Sequence, residues 1–453
     1  MGRGLSCILF FAEKRMVVLL KIWFCILWDL YIEIDGKLVY NDATVLPFTG
    51  RHPCGEKEEI MDQLKIGVFG LWRGGSFLPI INELDNAVVY AICDKDESRV
   101  AEAVKICPDA IVCPNFDALL DSGIEAILLC NYFHEHAAFA IKAMKRGIHV
   151  FSECTAGATM KECVELCECV EETGCKYMLA ENYPFSAALL EAKRLTDDGN
   201  FGRILYAEGE YNHTGPREML EHLTPFPYHW RGWLPRSYYV THSLGPLMHV
   251  TGQMPVQVSA FAVHSDVLEQ YDDFRHNYDA FAMMSCMTDG GALFRFTGCA
   301  HMGSHSGYRI VGENGSCETG RSLGGNLNVV YHDWLKPEGK PENEIYAPEW
   351  VANGELAEKT GHGGGDFWTV YNFINYVLHD EPVFFDVYRG CCMSAVAILG
   401  WRSCMENGKV YPIPDFRDKA QRNAWRNDDL TPFPDENGNV TLPCATGKKF
   451  LNR

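Results

Sequence analysis

Residues 65–75, KIGVFGLWRGG, place a short apolar run directly before a glycine-rich turn. Lys65–Phe69 predicts a buried strand, Gly70–Gly75 a tight turn, and Ser76–Leu84 a helix. Backbone N–H groups at such a turn point over the start of the helix, where they can bind a pyrophosphate. The segment therefore predicts the first strand–turn–helix unit of a dinucleotide-binding sheet.

An acidic residue completes this pattern. Asp94 follows the next apolar run, Ala87–Cys93, and stands where a carboxylate can accept hydrogen bonds from an adenosine ribose. Because a carboxylate repels a 2′-phosphate, Asp94 favours NAD(H) over NADP(H), although the neighbouring Lys95 weakens that preference.

The turn departs from the glycine fingerprint at one position. When Gly-x-Gly-x-x-Gly is aligned on Gly70 and Gly75, Trp72 stands where the lack of a side chain normally lets the backbone approach the pyrophosphate. The turn also contains Arg73 and Gly74, which complete the set of candidate cofactor contacts there. An ordinary βα turn without a nucleotide is the alternative interpretation, and the repetition that follows favours the nucleotide.

Strands and helices alternate from residue 65 to residue 180. The apolar runs are short and continuous, as in strands that are buried on both faces, and helical patterns separate them. This alternation predicts a parallel, doubly wound α/β sheet whose ligands bind beyond the carboxyl ends of the strands. The residues at the later strand ends are Asn131–His134, Glu153–Thr155 and Glu181–Asn182.

Length and charge narrow the classes of partner. A chain of 453 residues can form two or three domains, and a net charge of −20 argues against nucleic acid or an anionic membrane surface as partner. The 19 cysteines are irregularly spaced and form no paired Cys-x-x-Cys frame. They predict core thiols, no metal site, and a reducing, cytoplasmic setting.

The first sixty residues differ from the rest. Leu5–Phe11 and Met16–Ile32 are apolar, but charged residues keep them below the roughly 18 uninterrupted apolar residues of a membrane-spanning helix. We interpret residues 1–60 as an extension upstream of a natural start at Met61, with a poor secretory signal as the alternative. The expected domains are a Rossmann dinucleotide-binding domain (61–180), a substrate-binding α+β domain with an open, mostly antiparallel sheet (181–416), and a polar tail (417–453).

Several segments occur in the order that one family shows: a glycine turn, an acidic end to the second strand, NYFHEHAAFAIKAMKRGIHVFSE, and AEN after the sixth strand. In this order residues 65–416 resemble the Gfo/Idh/MocA family of NAD(P)-dependent sugar oxidoreductases. The resemblance implies that His134 and His136 lie next to the nicotinamide ribose and that Glu153 and Asn182 belong to the cofactor site. The family's dehydrogenases carry an active-site lysine directly after that glutamate. This chain has Cys154 there, and a thiol supplies no cationic donor.

Other segments carry a closer resemblance: SECTAGATMKECVELCECVEETG, LAENYPF, GRILYAEGEYNH, THSLGP and HGGGDFWTVYNFI. They look like the NAD-dependent glycoside hydrolases of the same superfamily, typified by bacterial α-N-acetylgalactosaminidases, which also lack the lysine. In those enzymes the Thr-His-x-Leu-Gly-Pro and His-Gly-Gly-x-Asp segments line the sugar site. The matched residues here are His242, Gly245, Pro246, His362, Gly363, Gly364 and Asp366.

The loop from Tyr211 to Tyr239 is rich in aromatic and histidine side chains. Aromatic planes beside polar tips suit a pyranose, which offers an apolar face ringed by hydroxyls, whereas the alternative is packing within the loop's own domain. The candidates for substrate contact are Tyr211, His229, Trp230, Arg231 and Tyr238, with His362 and Asp366 from the later motif; the loop also holds His222 and Tyr228. For His362 and Asp366 the alternative is a glycine-rich turn that Asp366 caps.

Three residues are catalytic candidates. His242 follows Thr241 at the entrance of a predicted helix, and imidazole suits proton transfer near neutral pH. Tyr239 is a second base or shares the proton, and His213 is the third candidate. The alternatives are a helix-capping or buried structural role for His242 and a strand-end role for His213.

The resemblance implies a redox-cycling glycoside hydrolase or lyase with bound NAD, which oxidises the sugar at position 3, expels the anomeric group, adds water and returns the hydride. The alternatives are a conventional sugar or glycoside dehydrogenase and a non-catalytic nucleotide-binding sensor. The expected partner is a small-molecule sugar or glycoside. We also expect a homo-oligomer, because an exposed face of the second sheet commonly pairs in this family.

Overall fold

The computed structural model describes residues 8–12, 15–19, 32–34, 37–39, 63–213, 223–226, 229–266, 277–299, 303, 306–435 and 437–447. Two compact units make up the chain, Met1–Ile60 and Met61–Arg453. In the first unit two antiparallel hairpins are described, β1 Ile8–Ala12 with β2 Arg15–Leu19 and β3 Ile32–Ile34 with β4 Lys37–Val39. The other residues up to 62, where we expected an extension or a signal, lie outside the described residues.

Six parallel strands form the doubly wound sheet that the alternating sequence predicted, and the expected Rossmann fold is confirmed. The strands are β5 Leu64–Phe69, β6 Ala87–Cys93, β7 Ile111–Val112, β8 Ala126–Leu129, β9 His149–Ser152 and β10 Tyr177–Leu179. Their order is β10-β9-β8-β5-β6-β7, so the chain reverses its direction of travel across the sheet between β5 and β8. Ligands of such sheets bind at this reversal, beyond the carboxyl ends of the strands.

Short helices connect these strands. They are α1 Leu71–Gly74, α2 Leu78–Asn82, α3 Glu97–Ile106, α4 Phe116–Leu120, α5 His136–Met144 and α6 Met160–Thr173. The glycine segment differs from the expected turn and single helix, because one helical turn follows Gly70 at once and a second helix starts only at Leu78. Pro79 in the first turn of α2 favours this later start, since proline fits the beginning of a helix.

A nine-stranded sheet follows. Its strands are β11 Ile204–Glu210, β12 Pro255–His264, β13 Asp279–Thr288, β14 Leu293–Thr297, β15 Gly307–Gly312, β16 Gly315–Gly320, β17 Leu327–Tyr331, β18 Asn343–Tyr346 and β19 Tyr411–Pro412. The order is β18-β17-β16-β15-β11-β14-β13-β12-β19. Among the described strand pairs β11–β14 is parallel and the others are antiparallel, so the open, mostly antiparallel sheet is confirmed.

Further helices are described beyond β10, and they pack against both sheets. They are α7 Ala187–Asp197, α8 Trp230–Trp233, α9 Thr241–Thr251, α10 Gly354–Ala357, α11 Gly365–His379, α12 Val387–Met405 and α13 Lys419–Asn423. Single 3₁₀ turns are described at Tyr183–Phe185, Arg236–Tyr238, Arg321–Leu323, Asp333–Leu335 and His362–Gly364. Almost all of α9 and α12 is buried, whereas the side chains of Phe261 and Val263 on β12 remain 54% and 58% exposed.

The described cysteines are all free thiols, and each of them except Cys130 is buried, so the expected core thiols are confirmed. Within the described ranges, no helix is both long and apolar enough to cross a bilayer.

Candidate functional site

The glycine turn after β5 lies directly against the end of β8. Gly70 has φ +91°, and a Cβ there would stand 2.5 Å from the carbonyl oxygen of Cys130, so the turn requires glycine. Asp94 at the end of β6 accepts hydrogen bonds from the backbone N–H of Leu71 (2.5 Å) and of Asp96 (2.8 Å). Each carboxylate oxygen keeps a lone pair for a ribose hydroxyl.

Trp72 occupies the surface side of this turn. Its side chain is exposed (48% for the residue), and the guanidinium carbons of Arg99 and Arg231 lie 5.7 and 5.8 Å from the indole centroid. Both contacts are cation–π interactions, and they hold the indole between two guanidinium groups. Gly74 lets α1 pack closely on β5, because a Cβ at this position would stand 2.7 Å from the Val68 side chain. Gly75 lines a surface groove beside Trp72.

The glycine turn and the loop after β8 line a crevice at the carboxyl ends of the Rossmann strands. Residues at the start of α8 contact this crevice. Trp230 stacks on Phe133 with centroids 5.2 Å apart, and His229 meets Tyr132 edge-on at 5.3 Å. Arg231 lies over Trp230 as well as beside Trp72. The structure thus places His229, Trp230 and Arg231 beside the loop after β8 and the glycine turn, and their contact with a sugar stays a prediction.

Buried polar atoms identify what the crevice can hold. Asn131 Oδ1, His134 Nδ1 and Asn182 Oδ1 are buried and have no hydrogen-bond partner among the described residues. A buried polar atom needs a hydrogen-bond partner, which a bound ligand can supply at this place. Burial lowers the pKa of His134 and of His136 to about 4, so both imidazoles are neutral at neutral pH. Together with the Gly70 cradle and Asp94, these groups fit the amide, hydroxyls and diphosphate of NAD.

Arg73 joins the end of β9 to the start of α11. Its Nε donates to Glu153 at 2.7 Å, and its two terminal nitrogens donate to Asp366 at 3.0 and 2.6 Å. Asp366, which is 1% exposed, also accepts from Asn182 Nδ2 (2.8 Å) and pairs with His362 Nδ1 (3.0 Å). Burial acts to raise the pKa of Asp366, but the hydrogen bonds from His362 and Arg73 hold it below its ordinary value. The carboxylate is therefore ionised.

His242 is the centre of a second network. Its Nδ1 lies 3.0 Å from both carboxylate oxygens of Glu181, and its Nε2 lies 2.9 Å from the Tyr239 hydroxyl. Glu181 is 0% exposed. Because a carboxylate can only accept, Nδ1 carries the proton and Nε2 accepts from Tyr239. Burial raises the pKa of Tyr239 well above its ordinary value, so the phenol stays protonated.

Cys154, at the position of the family's lysine, belongs to this network. Its Sγ lies 3.6 Å from Glu181 Oε2, and burial raises the pKa of the thiol well above its ordinary value. The thiol is thus a neutral donor to the carboxylate that orients His242, and it contributes no positive charge.

Aromatic rings surround His242. Tyr183 and Tyr211 lie 4.4 and 4.7 Å from the imidazole centroid, and the Tyr308 hydroxyl donates to the His242 carbonyl at 2.6 Å. The His362 ring lies 5.8 Å from that of Tyr183 and 6.5 Å from that of His242, so the three rings are mutual neighbours. A cavity of about 410 Å³ opens beside them; its lining includes Tyr183, Ser186, Tyr308, Arg321, Trp350 and His362.

Tyr238, one of the expected sugar contacts, lies in the core, whereas the catalytic candidate His213 lies at the edge of the His242 network. Tyr238 is 1% exposed, its ring meets Phe433 at 5.5 Å, and its hydroxyl is 3.5 Å from the Ala158 carbonyl, so it has no surface to offer a sugar. His213 lies one ring further out, 5.9 Å from Tyr211, and burial lowers its pKa. His222 and Tyr228 lie outside the described residues.

Three residues of this network, Glu181, Tyr183 and Tyr308, were not predicted from the sequence to have these roles. Glu181 was visible as a carboxylate at a strand end, which is a position where ligands gather. Its partner His242 is far from it in sequence, so nothing local indicated the pair. No group of three or more His, Cys, Asp or Glu side chains in the described part of the chain could hold a metal ion.

Three family models match this chain. Residues 64–181 match the oxidoreductase family with an NAD-binding Rossmann fold (Gfo/Idh/MocA), residues 189–318 the Gfo/Idh/MocA C-terminal domain, and residues 306–426 the glycosyl hydrolase 109 C-terminal domain. The last match agrees with the glycoside hydrolase motifs of the sequence.

Individual proteins are similar over most of their length. A glycosyl hydrolase family 109 protein of Saccharopolyspora erythraea is 26% identical in an alignment 438 positions long. The alignment covers 86% of this chain and 89% of that protein. The levoglucosan dehydrogenase structure with NADH and L-sorbose has a TM-score of 0.65 at 16% identity, covering 79% of this chain and 100% of that chain. The Bordetella pertussis WlbA dehydrogenase structure with NADH and UDP-GlcNAcA has a TM-score of 0.59 at 18% identity, covering 78% and 99%.

The dinucleotide crevice, the two sheets and the matched models agree with one another, and the chain is an NAD-dependent carbohydrate enzyme of the Gfo/Idh/MocA oxidoreductase family with a glycosyl hydrolase 109 C-terminal domain.

Proposed function

We propose that the chain is a glycoside hydrolase that cleaves its substrate by transient oxidation of the sugar, with no net consumption of NAD⁺. One observation carries the proposal: the centroids of two imidazoles, His242 and His362, lie 6.5 Å apart beside the ring of Tyr183, and each imidazole is held by a buried carboxylate. In this reaction the oxidation removes a proton from the sugar hydroxyl, and the elimination removes a second proton from the neighbouring C–H. The two steps therefore need two bases. Simple dehydrogenation needs one.

Tyr239 and His242 serve as the first base in this proposal. Tyr239 is partly exposed and donates to His242 Nε2, while His242 itself is almost fully buried. Because burial disfavours a free phenolate, Tyr239 takes the sugar hydroxyl proton only as it passes its own proton to His242. Glu181 stabilises the imidazolium that results. When bound, NAD⁺ supplies one chemistry, the acceptance and return of a hydride.

His362 serves as the second base. Its Nδ1 is held by Asp366, whose charge Arg73 partly balances, so Nε2 is free to accept a proton. The residue lines the cavity beside Tyr183, and its side chain is 36% exposed. A ketone at the sugar 3-position acidifies the neighbouring C–H, and His362 removes that proton as the anomeric group leaves. When water adds at the anomeric carbon, the imidazolium returns a proton to the neighbouring carbon, after exchange with solvent. The proton that the added water loses balances the one that the released aglycone takes up.

The experiment measures aglycone release from aryl glycosides by the purified protein, with and without added NAD⁺, while NADH is followed in parallel. Aglycone release without accumulation of NADH supports the proposal. In D₂O the released sugar should carry deuterium beside the oxidised carbon. Stoichiometric NADH would instead identify a sugar dehydrogenase, and cofactor binding without turnover would identify a sensor.

A matched pair of variants tests the first base. His242→Ala is expected to lower turnover by about 10²-fold or more while cofactor affinity stays nearly constant. His249→Ala is the control, because His249 is buried on the same helix and packs against Phe385 away from the cavity. Unchanged turnover in the His242 variant would remove this residue from the mechanism.

We also propose that two copies associate through the open face of the nine-stranded sheet. Phe261, Val263, Met283 and Leu293 are exposed on adjacent strands there. Apolar side chains clustered on one sheet face mark an interface, and a face that meets its own copy satisfies two-fold symmetry. Light scattering of the Phe261→Lys variant should show a shift to monomer; an unchanged mass would exclude this face.

A further inference from the structure

The C-terminal tail, residues 417–447, is polar in sequence but anchored at both ends. Arg422 binds both oxygens of Glu171 on α6 at 2.6 and 2.7 Å, and its side chain is 2% exposed. Further along, Thr446 donates to the buried Asp279 on β13 through its backbone N–H (3.0 Å) and its hydroxyl (2.6 Å). The tail therefore runs from a helix of the Rossmann sheet to a strand of the nine-stranded sheet.

Between these anchors the tail carries one buried ring. Phe433 is 3% exposed and lies nearly parallel to the His134 imidazole, with centroids 4.9 Å apart and planes 19° apart. It also meets Phe133 at 6.2 Å and Tyr238 edge-on at 5.5 Å. The ring thus packs on two consecutive residues of the loop that follows β8.

That loop lines the dinucleotide crevice. It begins where the backbone of Cys130 touches the glycine turn at Gly70, and it carries Asn131 Oδ1 and His134 Nδ1, which are buried without a partner among the described residues. These two atoms bind a ligand only if the loop is held in the position that the structure shows. Phe433 supplies the packing on the side of His134.

We propose that Phe433 is a positioning residue for the cofactor: the tail presses its ring on the 131–134 loop and so fixes the loop's polar atoms against the dinucleotide. The residue touches no reacting atom, and its effect passes through His134. The inference rests on the proposed function only in taking the crevice to be the NAD site.

The test compares the same substitution at two buried phenylalanines. Phe433→Leu keeps most of the apolar volume but loses the ring contacts with His134, Phe133 and Tyr238. Phe416→Leu is the control, because Phe416 is 1% exposed directly before the tail and packs in the core. For each variant we would measure the melting temperature, the Kd for NAD⁺ by calorimetry, and the titration of His134 by NMR of labelled histidine.

Both variants should melt at lower temperature by similar amounts, but only Phe433→Leu should weaken NAD⁺ binding, by about tenfold. Equal effects on Kd in the two variants, or none in either, would overturn the positioning role while the proposed function stands. If the wild-type protein binds no NAD⁺, the proposed function fails, and the cofactor role of Phe433 fails with it. The titration tests separately whether Phe433 holds His134 in its buried position. The pKa of His134, about 4 under its buried packing, should then rise toward 6.5 in Phe433→Leu alone, and identical titrations would refute it.

Discussion

Glu181 offers the sharpest test of how the site works. The carboxylate is 0% exposed and lies 3.0 Å, through each of its oxygens, from His242 Nδ1. Replacing it by glutamine keeps the volume and removes the charge. A hydrogen bond to a charged group contributes about 1.5–3 kcal/mol, so its loss alone lowers kcat about 10- to 150-fold. The amide can also donate to Nδ1 and so place the proton on Nε2, and inversions of this kind cost up to about 10⁴-fold.

We therefore expect Glu181→Gln to lower kcat by about 10² to 10⁴ while the Kd for NAD⁺ stays constant. Aglycone release and calorimetry on the same preparation measure the two quantities. Glu162→Gln is the matched control, because Glu162 is a half-buried glutamate that accepts the backbone N–H groups of Ala158 and Thr159 at the start of α6. It should lose stability and keep its turnover. A folded Glu181→Gln protein with kcat within about threefold of the wild type would refute the orientation of His242 by Glu181.

Three further perturbations follow from the same contacts. Asp366→Asn should weaken NAD⁺ binding and lower the free energy of unfolding by about 2–3 kcal/mol, since it breaks a half-buried ion pair; urea unfolding measures this, and an unchanged midpoint would contradict it. In Gly245→Ala the new Cβ would meet Glu181 Cγ at 2.7 Å, so turnover should fall at least about tenfold although alanine favours the helix; normal turnover would show that the carboxylate can shift freely. Burial lowers the folded-state pKa of His134 and His136 from 6.5 to about 4, so the unfolded chain binds protons first as the pH falls. Stability should therefore drop between pH 6.5 and pH 4 by up to about 3 kcal/mol per histidine, and unfolding curves that are flat across this range would exclude it.

The Rossmann sheet was predictable because its strands are buried on both faces and are therefore continuous apolar runs. The second sheet was predictable in its central strands, where alternation is regular. It was not predictable at β16 to β18, because Gly315–Gly320 is polar and glycine-rich and its strand character depends on pairing with β15 and β17.

The candidate site was likewise predictable only in part. His242, Asp366 and Arg73 lie in motifs whose residue types already indicate chemistry, and the structure brings them near the crevice. The charges that orient them could not be assigned from sequence, because Glu181 and His242, or Arg73 and Asp366, are distant in the chain and meet only after folding. Tyr238 was wrongly grouped with the sugar contacts, since an aromatic residue in an aromatic loop looks the same whether it faces a cavity or the core.

The bridge from Arg73 to Glu153 and Asp366 bears on how long a dinucleotide stays bound. Arg73 stands on the glycine turn and binds Glu153 at the end of β9 and Asp366 at the start of α11, so moving this turn aside requires the arginine to leave at least one carboxylate. Exchange of the nucleotide should accordingly be slow. An enzyme that must release NADH in every turnover would be slowed by this arginine bridge. An enzyme that returns the hydride to its own product would instead benefit, because the same NAD molecule could stay bound through many turnovers.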